Sequence, residues 1–239
     1  PEMPGTVCYG TGYDKWGVQT QQKAFAATAA LAVDPELDEA NAGRTRDEIL
    51  DCAVRMLRFS LRTHHEGGGR CLDGAPWGHT WISALGIERM MHAVDAIAPY
   101  LNAADRELLR HVLVSESNWL MDHYEIVAAP DAARGKNKPE SNLWNGAILH
   151  RTAMLYPDAP RAAEYRDKGT CFLANSISIP ADAESAATLD GHRLSDLHAG
   201  ANFFPSYALN HHGYLNVGYM VICLSNAAIL HFAYKARGE

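Results

Sequence analysis

The chain is 239 residues long, 47% hydrophobic, 21% charged and 9% aromatic, a globular composition that excludes disorder, collagen and low-complexity repeats. Lys and Arg number 21 against 28 Asp and Glu, a net charge of −7. That acidic balance, without a basic stripe, argues against nucleic acid or an anionic membrane surface as the main partner.

Helical periodicity runs through the whole chain. Residues 14–34, rich in Ala, Gln and Lys, predict a first helix stopped by Pro35. Thr45-Arg46-Asp47-Glu48 is a capping box ahead of the stripe Ile49, Leu50, Ala53, Val54, Leu57 and Leu61. Residues 78–98 predict a third helix closed by Pro99. A fourth begins near Asn102 with Leu109, Val112, Leu113 and Leu120 on one face. Ser141 or Asn142 opens a fifth that ends before Pro157, residues 159–179 form a sixth ended by Pro180, and the seventh covers 215–234. Strand-like alternation is weak, so the fold class is all-α.

Long connections (64–77, 124–140 and 179–214) alternate with short ones, and loops of that length in a compact domain are usually functional. Each leads into one of the more apolar helices, the third, fifth and seventh. The second, fourth and sixth carry charge on one face. Alternating buried and amphipathic helices are the layout of an α/α toroid, helical hairpins closed in a ring. A full ring needs more helices than are present, so residues 1–239 read as a single toroid domain that is a piece of a longer protein. A weak internal echo supports the hairpins: Gly78-His79-Thr80-Trp81 and Ser141-Asn142-Leu143-Trp144 each place a Trp in the first turn of an inner helix.

Five cysteines, an odd number without a CxxC pair, argue against a disulfide framework or zinc knuckle and mildly favour a reducing compartment. No leader is evident near Pro1, and localisation stays open. Residues 215–234 carry no formal charge and are long enough to span a bilayer. Asn216, Ser225, Asn226 and His231 within the stretch favour the reading without a membrane.

The densest polar run holds Asp196, His198, Asn202, Asn210, His211, His212, Tyr214, Asn216 and Tyr219. It lies at the mouth of the last helix, where the dipole and free amides favour negative charge. Proton abstraction beside a carboxylate needs Asn or His to neutralise the acid and Tyr or His to move the proton. The plainer alternative is capping of the helix and of loop backbone. A second cluster is Glu140, Ser141, Asn142, Trp144 and Asn145. A third, Asp73 with Trp77, His79 and Trp81 followed by Glu88 and Arg89, mixes flat apolar faces with hydrogen-bonding groups as sugar sites do.

The adjacent pairs His64-His65 and His211-His212 lack the i, i+4 spacing of a helical zinc site. His198 with Asp196 and His211 or His212 offers another ligand set. No metal and no cofactor is expected. Gly67-Gly68-Gly69-Arg70 lacks the Lys-Ser/Thr of a phosphate loop, and no Gly-x-Ser-x-Gly elbow is present.

On Glu140-Ser141-Asn142-Leu143-Trp144-Asn145-Gly146-Ala147 and Asn210-His211-His212-Gly213-Tyr214, the chain resembles the α/α-toroid carbohydrate-active enzymes. These comprise heparinase II/III-like and alginate-type polysaccharide lyases and toroid glycoside hydrolases. The resemblance spans roughly residues 77–234. It implies that Asn210 with His211 or His212 neutralises a uronate carboxylate and that Tyr214 or Tyr219 shuttles the proton. In several such lyases the Tyr lies much farther along the chain.

The leading expectation is β-elimination on a uronate-containing polysaccharide. The second is glycoside hydrolysis by a carboxylate pair such as Glu140 and Asp196, with Asp73 or Glu88 as substitutes. The third is a glycan-binding toroid without catalysis. Trp77, His79, Trp81, Arg89, Asn142, Trp144 and Asn202 are the expected sugar contacts.

Overall fold

The computed structural model describes residues 3–10, 12–128 and 138–238. The protein is all-α: 62% helix and 4% strand, with nine α-helices among the described residues. The chain divides into two compact units, Pro1–Glu116 and Ser117–Glu239.

In the first unit, α1 (Trp16–Val33), the four-residue α2 (Glu39–Ala42), α3 (Arg46–Thr63) and α4 (Ser83–Ile97) precede α5 (Ala103–His123), within which the division falls. Helix α1 packs against both α3 and α4. Its buried side chains combine Val18 and Phe25 with Ala26, Ala29, Ala32 and three glutamines. Gly86 of α4 receives Gln22, leaving no room for a Cβ. The capping box at Thr45 and Glu48 forms as expected and starts α3. Asn102 accepts the Asp105 amide at 2.8 Å to start α5. Asp105 also holds Arg58 through two bonds of 2.8 and 2.9 Å.

The second unit contains the rest of α5, then α6 (Pro139–Leu155), α7 (Ala162–Ala174), the short α8 (Leu194–Leu197) and α9 (Val217–Lys235). Every residue of α6 from Pro139 to Thr152 is buried, so the helix is enclosed on all sides. It starts at a proline, whose missing N–H would have had no helical partner there. Helices α6 and α7 touch backbone to backbone at two glycines. A Cβ on Gly146 would lie 2.8 Å from the Gly169 carbonyl oxygen, and one on Gly169 would lie 2.8 Å from the His150 ring.

Two tight hairpins interrupt the long connection between α7 and α9. β1 (Thr188–Leu189) pairs with β2 (His192–Arg193), and β3 (Asn210–His211) with β4 (Tyr214–Leu215). Their turns, Asp190-Gly191 and His212-Gly213, have positive φ at both central residues (49° and 82°, 59° and 85°), the requirement of a two-residue hairpin turn. The sequence reading lacked these hairpins, because two-residue strands show no alternation.

Two expectations about helix surroundings are corrected. Helix α9 is not enclosed: its buried residues are Cys223, Asn226 and Leu230, while Val217, Val221, Leu224 and Phe232 are exposed. It is also long and apolar enough to cross a membrane, with a mean hydropathy of 1.5, by length and composition alone. The echo between the two Trp motifs fails as well. Trp144 lies inside α6, but Trp81 precedes α4, exposed and edge-on to Trp16 at 5.8 Å.

The glycine contact yields the first prediction. Gly146→Leu should destabilise the chain by about 1–3 kcal/mol through overpacking against α7, read as a lower midpoint in urea unfolding. Gly43→Ala, which meets no atom within 4 Å, should lose only the strain of its φ of 65°, about 1 kcal/mol.

Candidate functional site

The second unit gathers its polar groups where the α6 N-terminus, the β3–β4 hairpin and the start of α9 meet. The tight turn at His212-Gly213 sets His211 across from Tyr214 in the strand pair and brings His212 back toward α9. Asn216 caps α9 by accepting the Tyr219 amide at 3.2 Å, which orients the first turn and with it the Tyr219 ring. The His211 ring lies 4.1 Å from His212 and 4.3 Å from Tyr219. His212 Nε2 and the Tyr219 hydroxyl are hydrogen-bonded at 3.2 Å. Glu140 Oε1 lies 3.8 Å from His211 Nε2 and 3.4 Å from the Ser141 hydroxyl that donates to it.

Burial sets the charge state of these groups. Glu140 is 4% exposed, and desolvation raises its carboxyl above the usual range against the opposing pull of its own amide, Lys138 and Ser141. Desolvation, with His212 and Lys138 nearby, pushes His211 down to about 4. The Glu140–His211 contact is therefore a meeting of two groups that both resist charge, not a firm ion pair. The Tyr219 hydroxyl is raised by burial and by the Glu140 and Tyr214 charges, which makes it a proton donor at neutral pH.

The α6 N-terminus also carries polar atoms left unsatisfied. Glu140 Oε2, Trp144 Nε1 and both amide atoms of Asn145 are buried without a hydrogen-bond partner. Each such group costs about 1–3 kcal/mol when it stays unpaired. Tyr124 adjoins Glu140, Ser141 and Asn145, and burial raises its hydroxyl.

Of the expected residues, Glu140, His211, His212 and Tyr219 come together. Tyr214 stands at the rim, 60% exposed, and Asn210 is half-buried opposite Leu215. Asp196 is exposed on α8, bonded to its neighbour Ser195, so nothing pairs it with the buried Glu140. Asn142 and Asn202 are fully buried ties. Both amides donate to the Val127 and Asn175 carbonyls, which fixes the chain end of α7. Trp144 is 3% exposed and offers no face for a sugar to stack on.

The first unit holds the other expected contacts. Trp77 is buried and donates its indole N–H to the Ser60 carbonyl at 2.7 Å, a packing role that leaves no stacking surface. Asp73 caps backbone amides of Asp14 and Ala75. Arg89 is half-buried on α4, beside the fully buried Glu88.

His79 belongs to a tight imidazole–carboxylate cluster that no local sequence pattern signals. His64, His79 and Glu116 have potential ligand atoms within 4.8 Å of one another. Glu116 Oε1 accepts both the His64 Nε2–H at 2.8 Å and the His79 amide at 2.6 Å. That second bond holds His79 at φ 51°, a strained backbone for a non-glycine residue. Gly78 permits the approach, since a Cβ there would stand 2.5 Å from His64 Nε2. His65 stacks on His79 at 4.7 Å.

The donor types suit zinc, but the hydrogen bonding does not. His64 Nδ1 accepts the Glu66 amide proton at 3.1 Å, so the ring carries its own proton on Nε2, the atom a metal would need. A ligating histidine instead donates from its second nitrogen. The cluster reads as an anchor for residues 64–79.

No protein-family model, no curated protein and no solved structure matches the chain.

Two outcomes are expected. A histidine held neutral by the fold binds its proton less readily than in the unfolded chain. Stability is therefore full above about pH 6.5 and falls as pH drops toward about 4. Burial holds His150 down to about 4 as well, so His211→Gln should lessen that acid limb without removing it in unfolding curves taken across this range. Added zinc should leave the thermal transition at pH 7 unmoved. A saturable rise abolished by His64→Asn would show the Nε2 proton to be displaceable.

Proposed function

We propose that the second unit catalyses β-elimination on a uronate-containing glycan, on a scaffold of toroid-type helical hairpins. The observation that carries this reading is the hydrogen bond between His212 and Tyr219, with His211 packed on both rings and Glu140 beside it. β-Elimination needs the proton beside the carboxylate removed and the leaving oxygen protonated. Tyr219 serves both steps, passing its proton to His212 Nε2 as it becomes the base and returning a proton to the leaving group. The His211 ring, held neutral by burial, is a donor suited to a substrate carboxylate, whose developing enolate charge it stabilises. Tyr219 is preferred to Tyr214 because it alone bonds His212. The inward Asn216, Tyr219 and Asn226 favour α9 as a wall of this site over a membrane span. The enclosed α6 crossed by α7 supports the toroid-type hairpin.

A second reading rests on the same raised carboxyl: Glu140 as general acid of a glycoside hydrolase. It lacks a partner, since the other proposed carboxylate, Asp196, is exposed.

Incubation of the chain with a panel of uronate polysaccharides, followed in the ultraviolet, separates the two. Elimination is expected to give a rising unsaturated-uronate absorbance that drops by about 10²-fold or more in Tyr219→Phe and persists in Asp196→Asn. New reducing ends without absorbance, lost in Glu140→Gln and kept in Tyr219→Phe, would replace the lyase reading with the hydrolase one.

A further inference from the structure

The unsatisfied atoms at the start of α6 define the chemistry of what they bind. Asn145 has no exposed surface, its amide oxygen and nitrogen make no hydrogen bond of ordinary length, and the Tyr124 hydroxyl is a polar neighbour beside it. Ser141 lies one helical turn earlier, on the same face of α6. The Ser141 hydroxyl donates to Glu140 Oε1, while Glu140 Oε2 stays unpaired. Tyr124 adjoins all three residues. Groups buried to this degree are almost always hydrogen-bonded, so these atoms call for a polar partner, ordered water or a bound polar group.

Donor and acceptor types narrow the class. The Asn145 amide demands a partner that both accepts and donates. A carboxylate has no hydrogen for Asn145 Oδ1. An ammonium cannot accept from Asn145 Nδ2. A hydroxyl does both. Two neighbouring hydroxyls satisfy the amide from each side and leave one hydrogen for Glu140 Oε2.

We propose that Asn145 and Glu140 form a subsite for a vicinal hydroxyl pair on an uncharged sugar ring, separate from the groups that receive the substrate's carboxylate. This rests on reading the region as a glycan site, but it requires no elimination chemistry. Asn145 is then a specificity-determining contact. Because both residues have almost no exposed surface, a ligand enters by displacing a neighbouring group, and slow association is expected.

The test is a thermal-shift series on the chain with methyl pyranosides of gluco, galacto and manno configuration, which carry the hydroxyls and no acid. Sodium acetate and ammonium chloride serve as controls. At least one glycoside should raise the midpoint saturably by a few degrees, and neither salt should. Asn145→Leu should abolish that rise while leaving the ligand-free midpoint at or above that of the parent, since it removes two unmet polar atoms. Tyr219→Phe should keep the rise.

No shift with any glycoside would mean that ordered water alone fills the site, and the proposal falls. A shift with acetate would replace it with an anion site. A glycoside shift undiminished in Asn145→Leu would place binding elsewhere and overturn it too. If the ultraviolet assay stays flat while the glycoside shift appears and needs Asn145, the subsite stands and the elimination reading fails. If elimination proceeds with an unchanged KM in Asn145→Leu, the elimination reading stands and the subsite fails.

Discussion

The second unit depends on one constraint: a helix enclosed on every side must satisfy its polar side chains from within. Helix α6 accepts this constraint along fourteen consecutive buried residues, Pro139 to Thr152. Farther along the helix the problem is solved by pairing. His150 meets the Tyr234 hydroxyl at 2.7 Å and Thr170 at 3.1 Å, and the Thr152 hydroxyl donates to the Ile148 carbonyl while accepting from Ser117. At the N-terminus, Asn142 ties loop carbonyls together through its Nδ2, yet its Oδ1 and atoms of Glu140, Trp144 and Asn145 stay unpaired. The contrast within a single helix is informative, because the same burial that the rest of α6 tolerates is left uncompensated where the catalytic candidates stand. Proteins commonly break such local rules where function requires it.

Helix α9 follows the same logic from the other side. Asn216, Tyr219, Cys223 and Asn226 recur at intervals of three and four, the spacing of one helical face, and that face turns toward Glu140. Its outer face is the apolar one, with Val217, Val221, Leu224 and Phe232 exposed. An inward polar stripe is the opposite of what core packing alone selects.

Much of the fold was legible because it is written in local chemistry. The Thr45–Glu48 box and the stops at Pro35 and Pro99 act within a few residues, and α3 starts, and α1 and α4 end, where expected. The surroundings of a helix are not local, so the apolar composition of α9 suggested enclosure that its neighbours do not provide. The polar run from Asn210 to Tyr219 announced a site, but the turn that assembles it depends on positive φ at His212, a residue without the mark that Asn or Asp gives such turns. Asn145 has no mark of its own in the sequence, since one asparagine beside Trp144, Gly146 and Ala147 looks like an ordinary core position. His64 and Glu116 stand 52 positions apart, beyond the reach of any spacing argument.

The histidines of the two units show why residue type alone does not assign chemistry. His64 is met at Nδ1 by an amide proton and at Nε2 by a carboxylate, so both nitrogens are committed and the ring acts as a strut. His212 is exposed on a two-residue turn, with Nε2 on a phenol that can exchange its proton. The first arrangement fixes one tautomer and one position. The second leaves a proton mobile between two groups, which is what acid–base catalysis requires. The sequence offers both as adjacent histidine pairs, His64-His65 and His211-His212. What separates them is the partner each ring meets: a fixed amide in one case, an ionisable hydroxyl at the mouth of a polar site in the other.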